Sequence, residues 1–261
     1  MNPSETTQNV TTHATTQKAY LGITGYKTAE EVAHTVEQFS TVPMAYTAMV
    51  GVNSPWHKLQ SFVVGDSNNA EVEKISCVTR SVRETAPWMI PMLHYYAPSD
   101  NLFADTICRI ADTTTMRAVQ LNVAWPRLSE VAKLRREGIT TTFQLASDMI
   151  ATPDLSTRIS EYAPFVDYAL LDMSSGKGVS FDESQSEDLL QMLHSSLPNV
   201  QLGIAGGLDA SCVFDRVSAL RARTGLELCV DAQKRLASNG SLDLDKVRSY
   251  IVEARRLWET K

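Results

Sequence analysis

Short apolar runs alternate with amphipathic segments from residue 19 to the end of the chain. The runs have the length of strands, and in the segments between them apolar residues recur every three or four positions, as on one face of a helix. The last segment has the most regular stripe: Leu244, Val247, Ile251, Ala254 and Trp258. Strands that alternate with helices predict parallel pairing with right-handed crossovers, and so an α/β fold.

Eight strand-and-helix units can be counted along the chain. Local signals predict several helix starts: Thr28 and Glu31 form a capping box, and Pro126 suits a first helical turn. We also expect Asp209 to cap the seventh helix. The predicted strands cover residues 19–24, 42–50, 88–94, 118–122, 140–145, 168–172, 200–205 and 226–231.

The eight units predict a single (β/α)8 barrel with eight parallel strands, a fold that a chain of 261 residues can fill alone. An open doubly wound sheet is the alternative, but the count of units and the absence of an early G-x-G-x-x-G motif favour closure. Residues 1–18 are rich in Thr, Gln and Asn, and we predict that they form a flexible tail before the barrel of residues 19–261. A loop is expected at residues 53–57, followed by a long helix near residues 69–83.

Composition and charge exclude several classes of function. The net charge is -6 without a basic block, so we expect no nucleic-acid partner. No apolar run approaches the roughly 20 residues that span a bilayer, and no signal-peptide pattern is present, which predicts a cytoplasmic protein. The four cysteines are far apart, so free thiols are favoured over disulfides or metal ligands. We predict neither a metal site nor a cofactor.

Acids and glycines stand where the predicted strands end. Asp172 ends the sixth strand, Gly206 and Gly207 follow the seventh, and Asp231 ends the eighth. In a (β/α)8 barrel these strand ends meet at the face that carries the active site and often a phosphate site. Glycine amides at a helix start can bind a phosphate, although a tight turn that requires positive φ explains the same glycines.

Other polar residues are candidates for ligand binding. His94, at the end of the third strand, titrates near neutral pH and is a candidate base, or else a structural histidine. Gln120 and Asn122 on the fourth strand could recognise hydroxyl groups or form hydrogen bonds inside the barrel. Three loop residues after the sixth strand could close over a ligand or form an ordinary surface loop; they are Gly176, Lys177 and Gly178.

The carboxyl-terminal half resembles phosphoribosylanthranilate isomerase, a tryptophan-pathway enzyme with a (β/α)8 fold. Gly22-Ile23-Thr24 also resembles the G-I-T of that family's first strand. The matching stretches are Val119–Asn122 (V-Q-L-H in the family), Leu170–Asp172 with Gly176–Asp182 (L-L-D, then G-x-G-x-x-F-D-W), Ala205–Asp209 with Val213 (S/A-G-G-L-N-x-x-x-V), and Val230–Asp231 with Gly240, Asp243 and Lys246 (V-D-x-S-S-G…G…D…K).

The resemblance implies that Asp172 is the general acid that opens the sugar ring. We expect partial burial and apolar neighbours to keep this acid protonated. The family's general base, a cysteine directly before G-I-T, is replaced by Leu21. This substitution predicts weak or absent isomerase turnover, which Leu21→Cys is expected to raise.

The phosphate site also departs from the family. The S-S-G loop after the eighth strand is replaced by Gln233, Lys234 and Arg235, whose cations could bind the phosphate or form a solvated helix start. Asn122 stands in place of the family's histidine and Glu183 in place of its tryptophan.

The sequence therefore predicts an isomerase-like barrel that takes a phosphorylated sugar-type ligand and uses acid–base chemistry. Two alternatives stay open: a non-catalytic or regulatory ligand-binding barrel, and a different lyase or epimerase of sugar phosphates. The ligand is the expected partner, and an assembly of identical copies is compatible with the sequence.

Overall fold

Eight parallel strands close into a barrel in the order in which they occur along the chain. β8 pairs with β1, where Val230 lies beside Leu21 and Asp231 beside Gly22, so the ring has no open edge. The barrel confirms the predicted (β/α)8 fold. The computed structural model describes residues 17–40, 47–66, 68–98, 103–172, 174 and 183–259. The strands are β1 (Tyr20–Thr24), β2 (Thr47–Pro55), β3 (Ile90–Tyr96), β4 (Ala118–Asn122), β5 (Thr140–Ala146), β6 (Tyr168–Asp172), β7 (Gln201–Ala205) and β8 (Cys229–Ala232).

Helices form a layer around the strands and bury their apolar faces against them. The capping box before the first helix is confirmed, since the Thr28 hydroxyl accepts from the Glu31 amide and Glu31 accepts from the Thr28 amide. The helices are α1 (Ala29–Ser40), α2 (Trp56–Val63), α3 (Ala70–Thr85), α4 (Ala104–Thr114), α5 (Leu128–Arg136), α6 (Ser147–Ile150), α7 (Leu155–Ser160), α8 (Glu183–Ser196), α9 (Val213–Thr224) and α10 (Leu244–Glu259).

The second strand differs from its prediction. We expected a loop from residue 53, but β2 continues to Pro55 and pairs Asn53 with His94 and Ser54 with Tyr95 of β3. Polar residues can occupy this stretch because they lie at the end of the barrel that holds the polar cavity. Helix α2 then begins at Trp56, where no helix was predicted.

Two predicted helix starts also need correction. Helix α5 begins at Leu128 rather than Pro126. Asp209 does not cap α9, because Cys212 is the N-cap residue and makes no side-chain capping bond. The Asp209 carboxylate instead accepts from the amide of Ser211 at 2.9 Å and from Arg235 at 2.9 Å.

The two ends of the barrel differ in what fills them. At the amino-terminal ends of the strands, the base end, the Tyr20 and Tyr168 rings meet edge to face with centroids 5.1 Å apart. Gln17 and Lys18, which we assigned to the tail, also lie here, and both accept a hydrogen bond from the Tyr168 hydroxyl. At the carboxyl-terminal ends, the mouth, the interior opens into a cavity. The barrel interior is therefore filled with side chains at the base end and open at the mouth.

Candidate active site at the barrel mouth

The mouth contains a cavity of about 610 Å³. Among its lining residues are all the candidate site residues that the structure describes: His94, Gln120, Asn122, Asp172, Gly206, Gly207, Asp231, Gln233, Lys234 and Arg235. Gly176, Lys177 and Gly178 lie outside the described residues. The tertiary structure therefore brings together residues from β3, β4, β6 and β8 and from the loops that follow β7 and β8.

Asp172 is held in a fixed orientation at the end of β6. The Gln144 amide donates to its Oδ2 at 2.8 Å, and the Ser174 amide and hydroxyl donate to its Oδ1 at 3.0 and 2.7 Å. The expected burial is present, with 4% of Asp172 exposed. The expected apolar surroundings are not, because three polar donors contact the carboxyl group. These bonds fix the direction of the carboxyl group.

His94 joins this network from β3. Its Nε2 lies 3.2 Å from Oε1 of Gln144, which also accepts from the Gln120 amide at 2.9 Å. Burial lowers the pKa of His94 to about 4, although the bond to Gln144 and the charge of Asp172 act in the opposite direction. A histidine that is neutral and weakly basic at pH 7 is not favoured as the replacement base.

Asp231 lies at the end of β8, beside β1. The Thr24 hydroxyl donates to its Oδ1 at 3.3 Å. Burial and, to a lesser extent, the negative charge of Asp172 raise the pKa of Asp231 to about 7, against the opposing effect of hydrogen bonds from Thr24 and Gln120. Asp231 therefore changes its protonation near neutral pH, which suits a group that transfers protons.

Gly206 and Gly207 form the turn after β7. Both have positive φ values, 91° and 64°, in the region that favours glycine. A Cβ atom on Gly206 would lie 2.5 Å from Oδ1 of Asp172 and 2.7 Å from Oγ of Ser174. The positive φ therefore supports the tight-turn interpretation for Gly206. The same turn packs directly against Asp172. Both glycines line the cavity, as a phosphate site requires.

Cations surround the cavity, and some were missed in the sequence. Arg235 is paired with Asp209 at 2.9 Å, and bonds from Ser211 and Arg235 outweigh the effect of burial and lower the pKa of Asp209. Lys234 is exposed after β8, and no ion-pair partner is found for it in the part of the chain that the structure describes. The lysines that sequence reasoning missed are Lys27, Lys58 and Lys74.

Lys58 and Lys74 share one carboxylate. Both pair with Glu71, Lys58 at 3.3 Å, and Lys74 also donates to the carbonyl of Asn53 at 2.7 Å. Two lysines around one carboxylate leave a net positive charge beside the end of β2. Placing the end of this strand at Pro55 would have put Lys58 near the mouth, so the misplaced strand end hid this signal.

Leu21 does not line the mouth. It is fully buried in the hydrophobic core. A Cβ atom on Gly22 would collide with Asp231, and Thr24 bonds to Asp231, so these two residues face the barrel interior. Because side chains alternate along a strand, Leu21 faces the helix layer. A cysteine at position 21 would not reach the cavity, which corrects the expectation that Leu21→Cys raises activity.

No cluster of three or more His, Cys, Asp or Glu side chains that could hold a metal ion occurs within the described ranges. All four cysteines have free thiols.

Among the residues with described positions, no helix is both long and apolar enough to cross a membrane.

Two comparisons relate the chain to known proteins, and a third found nothing. The model of the N-(5'-phosphoribosyl)anthranilate isomerase family matches residues 95–253, which is more than half of the chain. A comparison with curated proteins found no match.

Similar solved structures agree with the barrel fold. Phosphoribosyl anthranilate isomerase from Thermotoga maritima has a TM-score of 0.64 and 19% identity, covering 91% of this chain and 99% of that chain. The enzyme from Pyrococcus furiosus has a TM-score of 0.58 and 16% identity over the same shares. A phosphoribosyl anthranilate isomerase in complex with reduced 1-(o-carboxyphenylamino)-1-deoxyribulose 5-phosphate has a TM-score of 0.63 and 18% identity, again over 91% of this chain and 99% of that chain. At these identities the similarity establishes the fold.

Proposed function

Since the chain belongs to the N-(5'-phosphoribosyl)anthranilate isomerase family, we propose that it isomerises a phosphorylated ribosylamine at the barrel mouth. One observation carries the proposal: a single cavity contains two buried carboxyl groups, Asp172 and Asp231, together with cations and glycine amides. Two carboxyl groups in different surroundings can divide the acid and base roles of an isomerisation. We predict that this reaction is a step of tryptophan biosynthesis.

The charges at the mouth fit a ligand with two anionic groups. The ligand named in one similar structure carries a phosphate and a carboxyl group. We assign the phosphate to the amides of Gly206 and Gly207 and to Lys234, because a turn before a helix and a nearby cation both attract anions. We assign the carboxyl group of the ligand to Lys58 and Lys74. These two lysines lie beside the end of β2, on the opposite side of β1 from the phosphate site.

Asp172 is assigned to ring opening. In this step its proton goes to the ring oxygen of the sugar, the bond between that oxygen and C1 breaks, and the nitrogen lone pair forms a C1=N bond. A proton donor must have a fixed direction, and Gln144 and Ser174 provide it. Gln120 and Asn122 line the same wall and are assigned to the sugar hydroxyls.

The test is the turnover of N-(5'-phosphoribosyl)anthranilate by the purified protein and by Asp172→Asn. We expect measurable isomerisation that falls by about 10²–10⁴ in Asp172→Asn, because an amide cannot deliver a proton. The matched control is Asp167→Asn, a carboxylate equally buried at the base end, with 5% exposed. Its turnover per folded molecule should equal that of the unmodified protein.

Two other results would replace the proposal. If the protein binds the reduced product analogue with micromolar affinity but gives no turnover, a non-catalytic binding barrel is the correct description. If it neither binds nor converts this ligand, a different sugar phosphate is the substrate class. Calorimetric titration with the analogue, beside the turnover assay, separates the two cases.

A further inference from the structure

We infer that Asp231 is the general base that takes the proton from the opened sugar. The inference rests on the proposed isomerase function and names the group that this function lacks. The family resemblance puts the base on β1, but the β1 side chains that face the interior offer no strong base at the mouth. They are Tyr20, at the closed base end, Gly22, which has no side chain, and Thr24, whose hydroxyl is bonded to Asp231.

The seam between β1 and β8 is built to admit the Asp231 carboxylate. Asp231 lies beside Gly22 in the strand register. A Cβ atom at Gly22 would collide with Oδ1 of Asp231, so the glycine leaves the space that the carboxylate occupies. Thr24 donates to the same oxygen at 3.3 Å. The carboxylate of β8 therefore reaches across to β1, the strand where the base is expected.

Asp231 and Asp172 flank one intervening strand. Ala205 of β7 pairs with Asp172 on one side and with Asp231 on the other. Strands in a sheet are about 4.8 Å apart, so the backbones of the two acids are separated by about 10 Å. This separation allows a sugar to lie between the two carboxyl groups, with its ring oxygen towards one and C2 towards the other.

The electrostatics of the pair suit this division of roles. Burial and the charge of Asp172 raise the pKa of Asp231 to about 7. A base with a pKa near the working pH is the strongest base that is still substantially ionised there. The charge of Asp172 is one of the causes that raise the pKa of Asp231, so the two carboxyl groups at the mouth are coupled.

The other titratable groups near Asp231 do not compete with it near neutral pH. Tyr20 of β1 and Tyr250 of α10 have a pKa raised well above the ordinary value, mainly by burial. Burial likewise raises the pKa of Cys229 on β8, so its thiol stays protonated. β7 faces Asp231 with Ala205, which carries no charge. The basic residues that line the same mouth are Lys27, Lys58, Lys74, Lys234 and Arg235.

The step balances without a further reactant. The Asp231 carboxylate accepts the proton from C2 of the opened sugar. The electron pair of the C2–H bond becomes a C1=C2 double bond, and the C1=N pair returns to the nitrogen and neutralises it. The resulting enol becomes a ketone when C1 gains a proton and the C2 hydroxyl loses one. The product is an isomer of the substrate, and Asp231 can return its proton in the last step.

The experiment is a pH profile of kcat/KM for N-(5'-phosphoribosyl)anthranilate from about pH 5 to about pH 9. A base must be deprotonated to act, so the rate of the unmodified protein should rise with pH through a limb near pH 7. Asp231→Asn should lower kcat by about 10²–10⁴ with little change in KM, and should remove this limb. Asp167→Asn, the buried carboxylate at the base end, should keep both the rate and the limb.

Thr24 provides a second test that does not remove the base. Its hydrogen bond holds the pKa of Asp231 down, so Thr24→Val should move the limb to higher pH and Thr24→Ser should restore it. A purely structural threonine would change stability without moving the limb.

Each remaining outcome would refute either the role of Asp231 as base or the isomerase proposal as a whole. A rate that falls as pH rises through 7 makes Asp231 the acid and refutes its role as base. Full kcat in a folded Asp231→Asn also refutes this role but leaves the isomerase proposal intact. Thermal unfolding shows whether the unmodified protein and the variants are folded. If they are folded and the unmodified protein gives no turnover, both the isomerase proposal and this inference are refuted.

Discussion

The two ends of the barrel treat the same residue type in opposite ways. At the base end, Asp167 accepts from the Thr141 amide at 2.9 Å and pairs with Arg135. At the mouth, Asp231 accepts from Thr24 at 3.3 Å, has no cation paired with it among the described residues, and lies near the charge of Asp172. Asp167 is 5% exposed and Asp231 is 4% exposed, so burial does not distinguish them.

The difference lies in what replaces water around each carboxylate. A buried carboxylate that receives an amide and a guanidinium keeps its charge at low cost, and it joins elements of the fold. A buried carboxylate that receives only uncharged donors and has a like charge nearby is less stabilised and changes its protonation more readily. The base end therefore serves stability and the mouth serves chemistry, as in other barrels of this fold.

The largest expected effect is on the pH dependence of stability. The folded-state pKa of Asp231, about 7, lies above its ordinary value, so the native state holds a proton that the unfolded state releases. Its contribution is fully present below about pH 4 and is lost as pH rises through 7. Asp231→Asn should therefore gain stability over the unmodified protein as pH rises, by at most about 4 kcal/mol.

Urea unfolding at about pH 4.5, 6 and 8 measures this gain. If the difference in the free energy of unfolding between the two proteins is the same at all three pH values, the surroundings of Asp231 do not destabilise its charged form. Asp167→Asn is the comparison, because it removes a buried carboxyl group at the base end and leaves Asp231 unchanged.

A smaller effect is expected when the base end is broken. Asp167→Ala leaves the Thr141 amide without its acceptor and Arg135 without its partner. We expect a loss of about 3 kcal/mol, and a smaller loss in Asp167→Asn, whose amide oxygen can still accept from Thr141. Thermal unfolding and turnover per folded molecule should be measured together. A drop in turnover at unchanged stability would contradict the assignment of this end to stability.

The turn that supports Asp172 gives the next prediction. Gly206→Ala should cost about 2–3 kcal/mol, because its φ of 91° is strained for alanine and its Cβ would collide with Asp172 and Ser174. Gly225→Ala is the matched control: its φ is 70°, but nothing lies within 4 Å of the added atom, so only strain of about 1 kcal/mol is expected. Equal losses in the two variants would show that the contact with Asp172 is unimportant.

The smallest effect concerns Lys234. Lys234→Gln should raise KM for the phosphorylated substrate about three- to tenfold at low salt and less at high salt, because exposed charges are screened. Lys133→Gln, on the outer face of α5, is the control and should leave KM unchanged. A change of the same size in both variants would indicate a general charge effect, and no change in either would remove Lys234 from the phosphate site.

The sequence by itself determined the barrel and the identity of most residues at its mouth. β4 covers residues 118–122 and β6 ends at Asp172, as predicted, because strands bounded by turn signals leave a clear mark on the chain. Helix α10 buries Val247, Ile251, Ala254 and Trp258 of the predicted stripe. Once the fold is a parallel barrel, strand ends must meet at one face, so residues far apart in sequence could be predicted to share a cavity.

Only the tertiary structure decided which way side chains face and what surrounds them. A register error of one residue reverses the direction of every side chain on a strand, and so the sequence could not show that Leu21 faces the helices while Thr24 faces the mouth. Protonation depends first on burial and then on neighbours brought in from other strands, which are Gln144 and Asp172 for His94, and Thr24 and Asp172 for Asp231. Local patterns fix the elements, but charge states are set by contacts across the barrel that no local pattern records.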